Sequence, residues 1–337
     1  MEKQKTALIF GINGQDGSYL AELLLSKGYK VIGVKRRSSV NTCWRLVDFI
    51  SNPNLLLIDG DISDAISVYN IVAQYKPDEL YNLAAMSFVG ASFEEPQYTA
   101  SVNYVGVINI LEAIRKFLPS IKMYHASTSE LLGTAINKDG YQNENTIFIP
   151  QSPYAIAKLA AHHTCRLYRD AYNIFVCCGV LFNHTGVRRG EEFVTRKITK
   201  WIGDHQDMLK YKIIPISNDA KLNLGNLDAS RDFGASKDYV ESMYLMLQQD
   251  EPDDYVIATG ETHTIRELLN VAFNYIGISD WSPYVYVNPK FMRPAEVPYL
   301  RGDMTKARNK LGWSPKTSFK ELIEEMVEAD IQRARNK

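Results

Sequence analysis

The sequence predicts an α/β fold built on a doubly wound parallel sheet, with a smaller α/β lobe interleaved along the chain. Two observations support this prediction. Short apolar runs alternate with amphipathic segments of helical length through the first half of the chain, and a glycine-rich turn joins the first run to the first segment. Because parallel neighbours need a crossover segment between them, this alternation is typical of repeated strand–helix–strand units.

The predicted strands are short and almost wholly apolar, as strands buried on both faces are. They are placed at 6–10, 30–34, 54–59, 79–84, 121–127 and 174–180. The predicted helices repeat apolar residues at intervals of three and four positions. They are placed at 18–28, 65–75, 99–117 and 154–172, and the first ends at Gly28, a typical residue after a helix C-terminus.

After about residue 185 the pattern loosens, and Gly, Asn, Asp and Pro become frequent. A helix at 237–249 and a strand at 254–260 indicate that the chain returns to the first sheet, and an amphipathic helix at 319–337 closes the chain. We therefore predict two interleaved domains. The first comprises 1–182 and about 226–261, and the second comprises about 183–225 and 262–337.

The composition is that of an ordinary globular protein, and it excludes several classes. The chain has 337 residues, and its 38 Lys and Arg against 39 Asp and Glu argue against a general nucleic-acid binder. No apolar run approaches about 18 residues, so no membrane span is predicted, and the N-terminal apolar run is too short for a signal peptide. The four cysteines form no CxxC pair, so no disulfide scaffold is predicted and the expected location is the cytoplasm.

No metal site is predicted. His162, His163 and Cys165 are close in sequence, but helical spacing puts the two adjacent histidines on different faces, which favours ordinary core or surface histidines. Cys177 and Cys178 lie within an apolar strand and are interpreted as small buried side chains.

A dinucleotide site is predicted at the turn after the first strand. Gly11, Gly14 and Gly17 form a GxxGxxG pattern between strand and helix, where glycines let the backbone approach a pyrophosphate and the helix N-terminus offers free N–H groups. This is the setting of a Rossmann-type sheet. The alternative is a tight turn without a ligand.

The end of the second predicted strand favours NADP over NAD. NAD sites usually place an acidic residue there for the ribose 2′-hydroxyl, whereas this chain has Arg36, Arg37 and Ser38. Guanidinium and hydroxyl donors suit a 2′-phosphate, although the segment also fits a solvated basic loop. Asp61, after the third strand, is a candidate acceptor for the adenine amino group or, alternatively, a helix N-cap.

A catalytic group is predicted around Tyr154 and Lys158, which form YxxxK on one helix face behind Pro153. A nearby ammonium is expected to lower the pKa of the tyrosine and make it a usable base. Thr128 follows the fifth strand, and Glu130 beside it supplies a second acid–base group, which suggests proton abstraction from carbon followed by elimination. The alternative for Glu130 is a cap or ion pair for the following loop.

With these motifs in order, the chain resembles the GDP-mannose 4,6-dehydratase family of the extended short-chain dehydrogenase/reductase superfamily. The resemblance covers nearly the whole chain, and its more specific stretches lie outside the superfamily motifs. The matching stretches include GINGQDGSYLAELL (11–24), RRSS (36–39), STSELLG (127–133), SPYAIAKL (152–159), LFNHTGVRRGEEFVTRKIT (181–199), LGNLDASRDFGASKDYV (224–240) and RPAEVPYLRGDMTKARNKLGW (293–313).

The resemblance implies a redox-neutral lyase that uses NADP and acts on a GDP-sugar, with Thr128, Glu130, Tyr154 and Lys158 as catalytic residues. The cofactor contacts that it implies are Gly11, Gly14, Gln15, Asp16, Gly17, Arg36, Arg37, Ser38, Asp61, Ile62, Leu83, Ala84, Ala85, Ser87, Tyr154, Lys158, Asn183, His184 and Arg189. The substrate contacts that it implies are Ser87, Thr128, Glu130, Asn183, Lys197, Arg231, Arg293 and Glu296.

The paired Arg188 and Arg189 resemble a family loop that reaches a neighbouring subunit's cofactor, which implies a homotetramer or homodimer. The alternative is a flexible basic turn. No nucleic acid or membrane partner is expected.

The chain departs from the family pattern near the expected sugar site, so GDP-mannose and a larger GDP-manno-heptose both stay open as substrates. A nucleotide-sugar epimerase or reductase on the same scaffold is a further alternative, which Glu130 disfavours. The departures are Met86, Phe88, Leu132, Ile149, Gln151, Thr185, Gly186, Val187 and Pro298.

Overall fold

The computed structural model describes residues 3–292 and 295–336, and its centre is a seven-stranded parallel sheet. The strands of the chain are β1 (Thr6–Phe10), β2 (Lys30–Lys35), β3 (Leu55–Asp59), β4 (Glu79–Asn82), β5 (Lys122–Ala126), β6 (Val176–Leu181), β7 (His184–Thr185), β8 (Leu222–Leu224), β9 (Ser230–Arg231), β10 (Gly234–Ala235), β11 (Asp254–Ile257), β12 (His263–Thr264) and β13 (Val285–Val287). The order in the large sheet is β11-β6-β5-β4-β1-β2-β3. The predicted doubly wound sheet is confirmed, and its winding reverses between β1 and β4.

Helices cover both faces of this sheet. They are α1 (Gln15–Ser26), α2 (Ala65–Tyr75), α3 (Val89–Ser92), α4 (Pro96–Ala100), α5 (Gly106–Phe117), α6 (Pro153–Tyr172), α7 (Val194–Asp204), α8 (Gln206–Lys210), α9 (Ser236–Leu247), α10 (Ile265–Tyr275), α11 (Thr305–Leu311) and α12 (Phe319–Arg335). One apolar layer packs α1 and α9 on the sheet, and the other packs α2, α5 and α6 on the opposite face. Within the described residues, no helix is both long and apolar enough to span a membrane.

Local chemistry sets the helix ends that matter for the cleft. Helix α1 ends just before Gly28, as predicted, and the φ of +82° at Gly28 is a conformation that costs glycine little. Helix α6 begins at Pro153 behind Ser152, whose side chain accepts the N–H of Ala155 at 3.1 Å. This cap fixes the first turn of α6, which carries Tyr154.

The predicted helix at 99–117 is wrong in one respect, because a π-helical turn over Ser101–Val105 separates α4 from α5. Within this turn the Asn103 side chain donates to the carbonyl of Met86 at 2.9 Å and accepts its N–H at 2.8 Å. The turn thus braces the loop after β4, which borders the cleft. π-Turns of this kind are frequent at functional sites.

A second apolar cluster forms the smaller lobe from α7, α10, α12 and the β8–β13 pair. A buried ion pair joins two of these helices, with Arg196 Nε 2.7 Å from the Asp330 carboxylate, which also accepts the Thr199 hydroxyl. Strand β11 returns to the edge of the large sheet beside β6. The division into two interleaved domains stays a prediction.

A candidate active site at the carboxyl edge of the sheet

A cleft of about 1100 Å³ lies outside the carboxyl ends of the strands, between the sheet and the smaller lobe. This is where ligands bind in open parallel sheets, at the point where the winding reverses. Every predicted site residue that the structure describes lines this cleft. Arg293 lies outside the described residues.

The glycine-rich turn fits a closely approaching phosphate. Gly11 has a φ of +85°, and a Cβ on it would lie 2.8 Å from the Ala84 backbone nitrogen. A Cβ on Gly17 would lie 2.2 Å from the Gly11 carbonyl oxygen. Helix α1 begins after Gly14 without a side-chain cap, so its first N–H groups remain available to an anion.

A hydrogen-bonded aspartate–histidine pair connects this turn to β7 on the other side of the cleft. The Asp16 carboxylate lies 2.8 Å from Nε2 of His184, whose Nδ1 donates to the Phe182 carbonyl at 2.7 Å. Burial raises the pKa of Asp16, but the charge and hydrogen bond of His184 outweigh it, so the pKa lies below its ordinary value. The His184 ring also stacks on Tyr239 at 4.8 Å. This pairing could not be predicted from local patterns, because 168 positions separate the two residues.

At the far end of the cleft, the residues after β2 form a basic rim. Arg36, Arg37 and Ser38 are exposed and line the cleft, and the Arg36 guanidinium donates to the Tyr98 hydroxyl. The suggested N-cap role of Asp61 is wrong, because Asp64 caps α2 by accepting two backbone N–H groups. Asp61 instead accepts from the N–H and hydroxyl of Ser63, at 2.9 and 2.7 Å, and remains in the cleft wall.

The four predicted catalytic side chains are buried together in the middle of the cleft. Thr128 Oγ1 accepts the N–H of Glu130 at 3.2 Å, and the same hydroxyl group is hydrogen-bonded to Tyr154. Lys158, one turn beyond Tyr154 on α6, donates to the Ala126 carbonyl at the end of β5, at 2.9 Å. The Thr128 hydroxyl therefore lies beside the Tyr154 phenol, and the Glu130 carboxyl is close enough to influence the pKa of that phenol.

Burial dominates the acid–base properties of this group. Burial raises the pKa of Tyr154 to about 12, although the Thr128 hydrogen bond lowers it. Burial also lowers the pKa of Lys158 to about 8. The expectation that Lys158 lowers the pKa of Tyr154 is therefore not met in the chain by itself, because removal from water penalises the phenolate more than its neighbours stabilise it.

The side of the cleft formed by the smaller lobe carries cations and aromatic rings. Lys197 on α7 places its ammonium 3.7 Å from the centre of the Phe291 ring. Arg231 and Glu296, predicted as separate contacts, are 2.7 Å apart and form an ion pair. The pair presents a fixed guanidinium beside a carboxylate at the cleft wall.

The paired arginines lie against their own chain. Arg188 packs over the Tyr19 ring at 4.4 Å and pairs with Glu22 at 2.8 Å. Arg189 packs over Phe193 at 3.6 Å and lines the cleft of the same chain. That this loop reaches a neighbouring cofactor stays a prediction.

Few of the residues that depart from the family pattern line the cleft. Met86, Phe88 and Thr185 line it, whereas Leu132 is buried in a separate apolar cluster. Phe88 meets Phe193 edge to face with ring centres 5.7 Å apart, a contact that the sequence did not predict. Two packed aromatic rings therefore form part of the cleft wall at this point.

Comparison with known proteins agrees with this geometry. The family described as GDP-mannose 4,6 dehydratase matches residues 8–326 of the chain. GDP-mannose 4,6 dehydratase 1 of Arabidopsis thaliana is 46% identical over 345 residues, which cover 99% of this chain and 92% of that protein. The human GDP-mannose 4,6 dehydratase is 44% identical over 356 residues, which cover 98% of this chain and 93% of that protein.

Among solved structures, DesIV of Streptomyces venezuelae, a dTDP-glucose 4,6-dehydratase, has a similar fold. Its TM-score is 0.84 at 23% identity, over 98% of each chain. Its crystals contained NAD and a second ligand. At this identity the likeness concerns the fold alone.

Proposed function

The chain belongs to the GDP-mannose 4,6-dehydratase family, a family of hydro-lyases, and on that premise we propose that it converts GDP-mannose to GDP-4-keto-6-deoxymannose with NADP as cofactor. The observation that carries the proposal is that a carboxyl, Glu130, is buried in the same cleft as the Tyr154 phenol and is close enough to influence its pKa. A dehydrogenase that only moves hydride needs the phenol but not the carboxylate. A carboxylate beside the phenol adds the acid–base group that an elimination requires.

The chain's residues would handle protons at three positions of the sugar. Tyr154 takes the proton of the C4 hydroxyl as C4 becomes a ketone, with Thr128 hydrogen-bonded to the same oxygen. The nicotinamide cofactor supplies reversible hydride storage between C4 and C6. The ketone acidifies the C5 proton, which Glu130 removes and then passes to the departing C6 hydroxyl, so that water leaves. The proton held by Tyr154 returns to C5, which restores both side chains.

The cleft suits a dinucleotide next to a nucleotide sugar. Glycines at 11 and 17 leave room where side chains would collide with backbone, and the uncapped start of α1 faces the same space. Cations at both ends suit phosphates, with Arg36 and Arg37 on the rim and Lys197 in the lobe. The absence of an acidic residue directly after β2 favours the 2′-phosphate of NADP over the free hydroxyl of NAD.

Replacing Arg36 by alanine tests the cofactor assignment. We expect the variant to lose about 10-fold or more in affinity for NADP and little for NAD, because an ion pair to phosphate is lost but no contact to a hydroxyl is. Titration of both cofactors by isothermal calorimetry measures this difference. Arg115→Ala, a surface arginine paired with Glu112 on α5, serves as the control. Equal affinity of the unmodified protein for NAD and NADP would contradict the assignment.

The substrate is tested by comparing kcat/KM for GDP-mannose and GDP-manno-heptose with purified protein. We expect GDP-mannose to be preferred, because the packed rings of Phe88 and Phe193 occupy part of the cleft wall that a larger sugar would have to share. Formation of a 4-keto-6-deoxy product identifies the reaction as dehydration. A C4 epimer formed without loss of water would instead favour the epimerase alternative. A higher kcat/KM for GDP-manno-heptose would assign that sugar, and not GDP-mannose, as the substrate.

A further inference from the structure

A cluster of metal-ligating side chains is buried under α6, on the side of the sheet facing away from α1. Strands β5, β6 and β11 are neighbours in parallel register, with His125 opposite Cys178 and Cys178 opposite Asp254. Registered residues of neighbouring strands project from the same face of a sheet. One row across three strands therefore carries an imidazole, a thiol and a carboxylate.

Helix α6 adds two more such groups to this row. His162 and Cys165 are three positions apart, so they share one face of the helix, and both are almost fully buried. Cys165 and His162 are both close enough to the Cys178 thiol to influence its pKa. His163, the neighbour of His162 in the sequence, is exposed and takes no part in this cluster.

The ligand atoms already converge on a single point. Nε2 of His162 lies 3.6 Å from Oδ2 of Asp254, and one ligand atom each of His162, Asp254 and Cys178 lie within 4.8 Å of one another. In a tetrahedral zinc site, with bonds of about 2.0–2.3 Å, neighbouring ligand atoms are roughly 3.3–3.8 Å apart. The imidazole and carboxylate have that spacing, and the Cys178 thiol needs to close by about 1 Å at most, whereas the Cys165 thiol lies outside this group of three and needs to move further.

The surroundings match those of a metal site in two further ways. The other ring nitrogen of His162, Nδ1, is 3.2 Å from the Ser127 hydroxyl, a contact that fixes the ring and leaves Nε2 directed at the cluster. The remaining carboxylate oxygen of Asp254 accepts from Arg169 at 2.6 Å, and Arg166 lies 3.8 Å from Oδ2. Two thiolates and a carboxylate around a divalent cation leave one negative charge, which Arg169 offsets.

We propose that this cluster is a structural zinc site, with His162 Nε2, Cys178 Sγ and Asp254 Oδ2 as ligands and Cys165 Sγ as the fourth. Binding a borderline-soft divalent cation here displaces the thiol protons and joins α6 to β6 and β11. Because α6 carries Tyr154 and Lys158, the ion would hold the helix that presents the proposed catalytic pair. The site does not depend on the proposed substrate or cofactor.

The test is the metal content and the cobalt spectrum of the full-length protein. We expect about one zinc per chain after dialysis, measured by plasma mass spectrometry. Replacing zinc by Co²⁺ is expected to give thiolate-to-cobalt charge-transfer absorption and the intense visible bands of tetrahedral cobalt. This measurement on the unmodified chain needs no variant to fold. Absence of a thiolate band with cobalt in excess would overturn the proposal.

Matched variants locate the ion. Cys178→Ala and His162→Gln are expected to lose the metal and to lower the melting temperature. Cys177→Ala and His163→Gln are expected to keep it, because the Cys177 thiol is directed to the Met246 carbonyl and His163 is exposed. Zinc retained equally by all four variants would show binding elsewhere, and a native Cys165–Cys178 disulfide found by mass spectrometry would also overturn the proposal.

Discussion

Replacing Glu130 by glutamine is expected to lower kcat for dehydration by about 10²–10⁴-fold, the usual contribution of a positioned acid–base group. Glutamine keeps the size of the side chain but can neither accept the C5 proton nor protonate the departing hydroxyl. Glu130 is buried in the cleft with Tyr154, so the neutral amide would take the place of the carboxylate close to the proposed reacting atoms. Two assays follow the loss, one for release of the 4-keto-6-deoxy sugar and one for exchange of the C5 proton with deuterated solvent.

The same variant is expected to bind NADP as the unmodified protein does, which separates a lost chemical step from a collapsed cleft. Glu95→Gln is a matched control, because Glu95 is an exposed carboxylate on the loop before α4 and does not line the cleft. Normal turnover by Glu130→Gln would remove the elimination mechanism. Retained C5 exchange without product would instead restrict Glu130 to the second half of the step.

Replacing Tyr154 by phenylalanine is expected to reduce kcat/KM by about 10²–10⁴-fold, at the step that oxidises C4. Burial raises the pKa of Tyr154 to about 12, so the phenolate is a minor form at neutral pH. Below that pKa, the phenolate fraction rises about tenfold for each unit by which the pH increases. The unmodified protein should therefore show kcat/KM rising with pH through the neutral range. The residual activity of Tyr154→Phe should lack that rise.

The pH profile distinguishes a chemical role from a structural one. Tyr168→Phe is the matched control on the same helix, because its hydroxyl pairs with Glu112 away from the cleft. We expect this control to keep both the activity and the rising limb. A rising limb that persists unchanged in Tyr154→Phe would assign the titration to another group and withdraw the phenol as the base.

The two variants also divide the reaction between them. Tyr154→Phe should slow the reaction before hydride leaves C4, and Glu130→Gln should slow it after C4 has become a ketone. Stopped-flow absorbance at the wavelength of the reduced nicotinamide measures this difference. We expect a fast single-turnover signal with Glu130→Gln and only a slow one with Tyr154→Phe.

Local patterns in the sequence were sufficient to predict the parallel sheet, the order of the motifs and the residues that line the cleft. Alternating apolar runs and crossover helices depend on residues a few positions apart, and so does the pairing of Tyr154 with Lys158 on one helix face. The helix predicted at 99–117 was imperfect because Asn103 is used to bind the loop after β4, which interrupts regular α-helical bonding.

The sequence by itself thus determined which residue types gather at the carboxyl ends of the strands, since strand order along a parallel sheet brings every such end to one edge. Only the tertiary structure decided how those residues pair. Asp16 meets His184, Arg231 meets Glu296, and Cys178 lies between His162 and Asp254. These contacts join positions far apart in the chain, and their spacing depends on strand register and helix packing. The raised pKa of Tyr154 has the same origin, because it reflects how much protein surrounds the phenol rather than which residues adjoin it in the sequence.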